Sequence, residues 1–112
     1  MKKLEIIIRT EKLEEVKKIL EDSKANGLMI TNIMGYGNQK GYTQIYRGTE
    51  YTVNLLPKIK VETVVAADIA ETIIEKVVNE IQTGKYGDGK IFIYDVEDAV
   101  RIRTGERGEE AL

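Results

Sequence analysis

Apolar residues in this chain change their spacing twice, from every second position to every third or fourth, and this limits the folds open to it. In residues 4–9 every second side chain, at Leu4, Ile6 and Ile8, is apolar, as on the buried face of a β-strand. Residues 13–20 then place apolar side chains at helical spacing. The same change recurs between residues 56–66 and residues 70–81. The pattern therefore predicts two units in which a strand is followed by an amphipathic helix.

Further strand-like segments lie at residues 28–36 and 91–94, with a shorter candidate at 99–103. The order βαββαβ predicts an α+β, ferredoxin-like sandwich, in which both helices cover one face of an antiparallel sheet. At 112 residues the chain is expected to form a single domain, residues 1–112. Its tail, residues 104–112, is rich in glycine and glutamate, and we expect it to be mobile.

The sequence also carries signals for the ends of both helices. Thr10 is a predicted N-cap of the first helix, and Gly27 is a predicted stop beyond it. Asp68 and Glu71 have the spacing of a capping box at the start of the second helix. Gly84 is placed to end that helix.

The composition excludes several kinds of site. The chain has no histidine and no cysteine, so disulfides, thiol chemistry and metal sites built from these residues are excluded. General base catalysis at neutral pH would need a carboxylate or a lysine with a shifted pKa. A formal net charge of −2 argues against general nucleic-acid binding, and the apolar runs are too short to span a bilayer. The composition therefore favours a binding module over an enzyme.

The sheet face opposite the helices is predicted to be mixed in polarity. Lys58, Lys60 and Glu62 share that face with Ile7 and Val64. A face that is half polar and half apolar suggests partial burial against other copies of the chain. Oligomerisation is therefore a hypothesis of the sequence.

Residues 83–92 form a glycine- and lysine-rich loop between the second helix and the next strand. Gly84, Gly89 and Lys90 fit the spacing of a Walker A loop, but Ile91 replaces the hydroxyl residue that binds magnesium. The loop also joins helix to strand, whereas a Walker A loop joins strand to helix. Glycine N–H groups and a lysine still suit a phosphate. A simple turn that connects the helix to the strand is an equally good reading of this loop alone.

Two further segments could bind anions. On an extended chain Arg101 and Arg103 face the same way, and paired guanidinium groups suit a polyphosphate. The alternative is a solvated edge strand. Residues 35–41 mix glycines with amide and ammonium groups, where Gln39 offers an oxygen to a metal ion. The alternative there is an ordinary turn.

Residues 37–54 are difficult to assign, because three tyrosines alternate with glycines and polar residues. The segment matches neither a regular helix nor a regular strand, so it is a distorted hairpin, a disordered insert or a mobile loop that adopts more than one conformation. Tyr51 in this loop is either a contact residue at an interface or a site of modification.

Together these segments resemble the nitrogen-regulatory P-II signal-transduction family over essentially the whole chain. Residues 83–96, TGKYGDGKIFIYDV, fit one signature of the family without exception. Residues 46–51, YRGTEY, fit the other signature, with Thr49 in place of the usual alanine or serine. The QKG element at 39–41 and the LPK element at 56–58 also match.

The resemblance implies a cytoplasmic homotrimer that holds ATP or ADP in each cleft between subunits. It implies that residues 82–90 cradle the phosphates and that residues 101–112 reach them across the interface. It also implies binding of 2-oxoglutarate at the base of the switch loop, residues 37–55, through a Mg²⁺ ion shared with ATP. The nucleotide-binding residues would be Gly35, Gly37, Asn38, Gln39, Val64, Gly87, Asp88, Gly89, Lys90, Arg101 and Arg103, with Gly35, Gly37, Gln39 and Val64 on the side opposite the phosphate loop. The residues for 2-oxoglutarate would be Gln39, Lys40, Gly41 and Lys58, with Gln39 as the metal ligand.

The resemblance further implies partners and a modification site. Arg47 matches a residue that members insert into ammonium-channel pores, and Tyr51 matches a tyrosine that some members have nucleotidylated. The partners would be an ammonium transporter, a nitrogen-assimilation enzyme or a transcription regulator.

Other positions besides Thr49 also depart from the family pattern. Asn38 replaces a common arginine, which removes a positive charge near the triphosphate and would weaken ATP relative to ADP. Met29 replaces a threonine that contacts the adenine in many members, and Thr10 with Glu11 replaces a proline-led turn.

The sequence therefore predicts a non-enzymatic regulator that senses ATP, ADP and 2-oxoglutarate. The alternatives are a P-II-like relative that senses a different small ligand, a small ferredoxin-like phosphatase, and an RNA-binding domain of similar topology.

Overall fold

The computed structural model describes residues 1–36, 42–53 and 55–112, with the backbone alone at 42–46 and 50–53. The helices in these ranges are α1 (Leu13–Asp22) and α2 (Ala67–Ile81), and short 3₁₀ helices lie at Thr10–Lys12 and Gly108–Ala111. The strands are β1 (Lys2–Ile8), β2 (Met29–Gly35), β3 (Tyr42–Tyr46), β4 (Thr49–Val53), β5 (Leu56–Val65) and β6 (Lys90–Asp95).

The described strands form a main sheet in the order β2-β5-β1-β6, in which every neighbouring pair is antiparallel. In this register Ile6 of β1 lies between Val61 of β5 and Ile91 of β6. Strands adjacent in the sheet are not adjacent in sequence, which is the topology of the ferredoxin-like fold. The predicted α+β class is thus confirmed.

Both helices pack on one face of this sheet. Leu4, Ile6 and Val61 have no exposed surface, and they meet Leu20 of α1 and Ile73 of α2, which are also fully buried. Burial of each such side chain stabilises the fold by about 1.5–3 kcal/mol before entropic costs. The alternating pattern of β1 and β5 predicts this face correctly, because every second residue of a strand points to the same side.

The predicted signals for the start and end of α1 are wrong. Thr10 lies within the 3₁₀ turn, whose backbone bond joins the N–H of Lys12 to the carbonyl of Arg9 at 3.1 Å. The α-helix therefore begins only at Leu13, and no side chain caps it. It ends at Asp22, where Lys24 takes the left-handed conformation (φ 63°) that was expected of a glycine nearby.

The predicted signals for α2 are also wrong. The helix begins at Ala67, directly after β5, so Asp68 lies in its first turn instead of preceding it. The N-cap is Ala66, whose carbonyl accepts the N–H of Ala70 at 3.0 Å, and no side chain caps this end. Gln82 is extended after Ile81, so Gly84 belongs to the following loop.

Residues 42–53 form a two-stranded hairpin, which is one of the readings that the sequence leaves open for this segment. Its turn is Arg47-Gly48, and both residues have positive φ angles of 52° and 76°. This is the backbone of the two-residue hairpin turn whose twist suits antiparallel strands.

The C-terminal segment forms a closed turn instead of the expected strand at residues 99–103. The N–H of Arg101 donates to the carbonyl of Glu106 at 2.9 Å, and the N–H of Gly105 donates to the carbonyl of Arg101 at 2.7 Å. Asp98 accepts the Arg107 guanidinium at 2.8 Å and the N–H of Gly108 at 3.1 Å. These bonds fold the tail, expected to be mobile, back onto the residues before it.

Candidate functional site

A cleft among the described residues lies where the end of β2, the start of β5 and the loop before β6 meet. Its volume is about 550 Å³, within the range of small-molecule sites. The cleft is lined by six predicted site residues, which are Gly35, Lys58, Gly87, Asp88, Gly89 and Lys90. Segments far apart in the sequence therefore converge on one concave surface.

Glycines give the loop before β6 its shape. Gly84, Gly87 and Gly89 have φ angles of 81°, 98° and 106°, in the region that side chains strongly disfavour. Gly89 is also pressed against β1, since a Cβ atom there would lie 1.7 Å from the carbonyl oxygen of Ile7. This close approach brings the loop backbone to the wall of the cleft.

The Asp88 carboxylate faces its own loop. One oxygen accepts the N–H groups of Thr83 at 2.7 Å and Gly84 at 3.0 Å. The other accepts the Thr83 hydroxyl at 2.5 Å and Arg9 Nε at 3.3 Å. The Thr83 hydroxyl contributes most to lowering the Asp88 pKa to about 2, and the two N–H groups and Arg9 add to it. Any contact of Asp88 with a ligand would therefore involve its backbone.

Positive groups surround the loop. Arg9 also donates from Nη2 to the carbonyl of Tyr86 at 2.7 Å, and Lys58 Nζ donates to the carbonyl of Gly87 at 2.8 Å. Burial, followed by the nearby Arg9 guanidinium, lowers the pKa of Lys58. Lys90 is exposed at the rim of the cleft. The glycine backbone and these cations suit an anionic ligand such as a polyphosphate.

Other predicted site residues lie away from this cleft. Val64 is six residues from Lys58 along β5, a separation of about 20 Å at roughly 3.3 Å per strand residue. Arg101 and Arg103 lie in the C-terminal turn, and they do not face the same way on a strand as expected. The Arg101 guanidinium donates to Glu106 at 3.1 Å and to the carbonyl of Leu112 at 3.0 Å.

Gly35 lines the same cleft as Gly87, Asp88, Gly89 and Lys90 of its own chain. The Cγ atom of Lys58 would lie 3.2 Å from a Cβ atom at Gly35, so a side chain there would be crowded. Arg47 is exposed at the hairpin turn, and Tyr51 lies in β4. The predictions for Gly37, Asn38, Gln39, Lys40 and Gly41 fall outside the described residues.

Sequence reasoning did not name as site residues Arg9 and Thr83, which bond Asp88, or Tyr86, which lines the cleft. The Thr83 hydroxyl stands five residues before Asp88, and a polar pair that brackets a glycine-rich turn is a usable signal. Nothing in the sequence links Arg9 to the loop, because their contact depends on the pairing of β1 with β6.

The open face of the sheet carries a network of charged groups. Lys3 Nζ lies 3.3 Å from Glu5 and 3.5 Å from Glu62, and Lys60 also lies 3.5 Å from Glu62. The Tyr94 hydroxyl donates to Glu5 at 3.1 Å, which raises the pKa of Tyr94. The predicted mixed polarity of this face is present.

Two further observations concern the described part of the chain. No group of three or more carboxylates there could hold a metal ion. None of its helices has the length and apolar character needed to cross a membrane.

Comparison with known proteins gives matches over the whole chain. The family described as "Nitrogen regulatory protein P-II" matches residues 1–106. Proteins named "Nitrogen regulatory protein P-II" from Rhizobium meliloti and Haemophilus influenzae are 52% and 50% identical to it over 112 residues, which is 100% of each chain. "Nitrogen regulatory protein P-II 1" from Escherichia coli is 46% identical over the same length. These relatives are regulatory proteins of a non-enzymatic signalling family, which confirms the prediction that the chain is not an enzyme. This chain therefore belongs to the nitrogen regulatory protein P-II family.

Proposed function

We propose that this protein senses adenine nucleotides and 2-oxoglutarate and passes the signal to partners of nitrogen metabolism through residues 37–55. The observation that carries the proposal is the cleft where Gly35, Lys58 and the loop 83–89 meet. Gly35 ends β2 only two residues before this segment, so a ligand in the cleft would touch the base of the segment.

The nucleotide phosphates would lie on the loop. Gly87 and Gly89 supply a backbone that approaches the ligand closely, and Lys90 supplies charge at the rim. In a homotrimer, Val64, Arg101 and Arg103 would come from the neighbouring subunit. The absence of these three residues from the lining of the described cleft supports this arrangement.

The site for 2-oxoglutarate would adjoin the phosphates. Lys58 would pair with a carboxylate of the ligand, and its present bond to the carbonyl of Gly87 already places the ammonium group beside the loop. Mg²⁺ would polarise the oxygens of both ligands, with Gln39 as its protein ligand. Lys40 and Gly41 would complete the site.

The hairpin at 42–53 would carry the output. Arg47 is exposed at its tip, as a residue that enters a pore or a partner surface must be. An ammonium transporter, a nitrogen-assimilation enzyme or a transcription regulator would bind or dissociate as ligands change the preferred conformation of the segment. Tyr51 is the candidate position for nucleotidylation.

The test of the nucleotide site is calorimetric titration of the full-length protein with ADP and with ATP plus Mg²⁺. Lys90→Gln should weaken both nucleotides at least tenfold, because it removes a charge-assisted bond worth about 1.5–3 kcal/mol. Lys18→Gln is the matched control, since Lys18 is an exposed lysine of α1 paired with Asp22 at 3.6 Å. The control should bind like wild type.

Other outcomes favour the alternatives. A protein that binds neither nucleotide but binds another small molecule would be a relative with a different ligand. Sustained release of phosphate from acyl phosphates would indicate a phosphatase. Light scattering tests the trimer, and a stable monomer mass would exclude it.

A further inference from the structure

The Asp88 carboxylate joins the end of one short loop, residues 83–88, to the start of the same loop and to Arg9. Three of its hydrogen bonds come from Thr83 and Gly84, at the start of the loop, and the fourth comes from Arg9, at the end of β1. The bonds close residues 83–88 into a ring, and Gly87 and the neighbouring Gly89 line the cleft. We propose that Asp88 is a positioning residue, which holds this ring in the shape that binds phosphate and uses Arg9 as its anchor; this role rests on the proposed nucleotide site.

The acceptor count explains why a carboxylate is needed. A carboxylate has two acceptor oxygens, so it can take four donors at once, whereas an asparagine side chain has one acceptor oxygen and two donors of its own. Thr83 and Gly84 each present an N–H to the same oxygen. In asparagine the amide nitrogen would face either the two N–H groups or Arg9, so at least one donor would lose its acceptor and the ring would be held less firmly.

Arg9 has two tasks in this arrangement. Its guanidinium bonds Asp88 at 3.3 Å and the carbonyl of Tyr86 at 2.7 Å, so it fixes two points of the ring relative to β1. It also balances the negative charge of Asp88, which would otherwise repel a phosphate in the same cleft. Gly89, in contact with Ile7, fixes the end of the loop on the same strand.

The role of Asp88 is distinct from direct contact with the nucleotide. Substitution of a residue that only contacts the nucleotide would weaken binding and leave the ligand-free loop unchanged. Substitution of a positioning residue changes the loop even when no ligand is present. The exchange rates of the Thr83 and Gly84 amide hydrogens in the ligand-free protein report this directly, because both groups donate to Asp88.

The test compares Asp88→Asn with wild type by amide hydrogen exchange and by ADP titration. Asp88→Asn should speed exchange at Thr83 and Gly84 at least tenfold and weaken ADP at least tenfold, because each lost bond of ordinary strength changes the affinity about fivefold and more than one is lost. Asp95→Asn is the matched control, since Asp95 is an exposed carboxylate that pairs with Lys2 and does not line the cleft. It should change neither quantity.

A second pair of variants guards against a loss of folding in Asp88→Asn. Thr83→Val keeps the shape of the side chain but removes the hydroxyl donor, and it should shift both quantities in the same direction as Asp88→Asn. Thr83→Ser restores the donor and should restore both. If Thr83 only stabilised the fold, Thr83→Val and Thr83→Ser would differ in thermal stability. A difference in exchange rate and ADP affinity at equal thermal stability therefore indicates positioning of the loop.

Three results would overturn the inference. The first is unchanged exchange at Thr83 and Gly84 in Asp88→Asn. The second is faster exchange with unchanged ADP affinity, which would show that the ring does not position the ligand. The third is a wild-type protein that binds no nucleotide, in which case the proposed function fails as well; faster exchange in Asp88→Asn would then show that the ring exists although the nucleotide site does not.

Discussion

The loop at the cleft should tolerate a methyl group at one glycine and not at another. Gly84 and Gly89 both have positive φ angles, of 81° and 106°. A Cβ atom at Gly84 would meet nothing within 4 Å, whereas one at Gly89 would lie 1.7 Å from the Ile7 carbonyl oxygen. Alanine at the two positions therefore separates the cost of backbone conformation from the cost of the clash.

The magnitudes follow from these contacts. Gly84→Ala should destabilise the protein by about 1–2 kcal/mol, the cost of a left-handed conformation for a residue with a side chain. Gly89→Ala carries a similar cost and must also push the loop off β1, because a backbone oxygen cannot rotate away. Displacement would break two or three of the Asp88 bonds at roughly 1 kcal/mol each. The total for Gly89→Ala is then about 3–5 kcal/mol.

The assay is urea unfolding of both variants and wild type at one fixed chain concentration, since stability of an oligomer depends on concentration. Gly89→Ala should also abolish ADP binding, whereas Gly84→Ala should retain it. Equal losses of stability in the two variants would refute the reasoning, because the clash would then contribute nothing.

Three other predictions follow from separate contacts. Thr63→Val should cost about 1–2 kcal/mol in thermal unfolding, because the buried Thr63 hydroxyl donates to the carbonyl of Gly27 at 2.6 Å; a loss below the error of the measurement would show that water replaces the hydroxyl. The pKa of Asp88 is about 2 when folded against an ordinary 3.8, so its contribution to stability is complete above pH 4 and is lost as pH falls toward 2. Asp88→Asn should therefore flatten the acid side of the stability curve, measured by urea midpoints, and an unchanged slope would contradict the bond pattern. Arg47→Asn should preserve the hairpin, because asparagine favours the positive φ of 52° found there, yet it should weaken capture of a native ammonium transporter; unchanged capture would remove Arg47 from the interface.

The sequence predicts the core and the sheet well, because both depend on periodic burial. The alternation in β1 and β5 and the stripe of α2 identify Leu4, Val61 and Ile73 as inward residues, and all three are fully buried. The order of elements then leaves few ways to arrange the sheet.

The ends of the helices are harder to predict, since backbone bonds compete there with side-chain caps. At Thr10 a 3₁₀ turn closes through the carbonyl of Arg9, so the threonine is not needed as a cap. At Lys24 a residue other than glycine takes the left-handed conformation. Local propensities are too weak to decide between such options.

The candidate site is predictable in part. Gly87, Gly89 and Lys90 belong to one short segment, and the composition and motif of that segment are enough to predict a loop suited to a phosphate. Arg9 reaches that segment only through the pairing of β1 with β6, a contact between residues nearly 80 positions apart. The same limit applies to the Arg101 side chain, whose bonds to Glu106 and Leu112 arise from a turn that the sequence pattern represents as a strand.

Coupling between a nucleotide and 2-oxoglutarate in the cleft is tested most directly by one titration. Calorimetry should follow 2-oxoglutarate binding to the full-length protein with ATP and Mg²⁺, with ADP, and with no nucleotide. The proposed shared site predicts binding with ATP and Mg²⁺ and none in the other two conditions. Equal binding of 2-oxoglutarate in all three would contradict it.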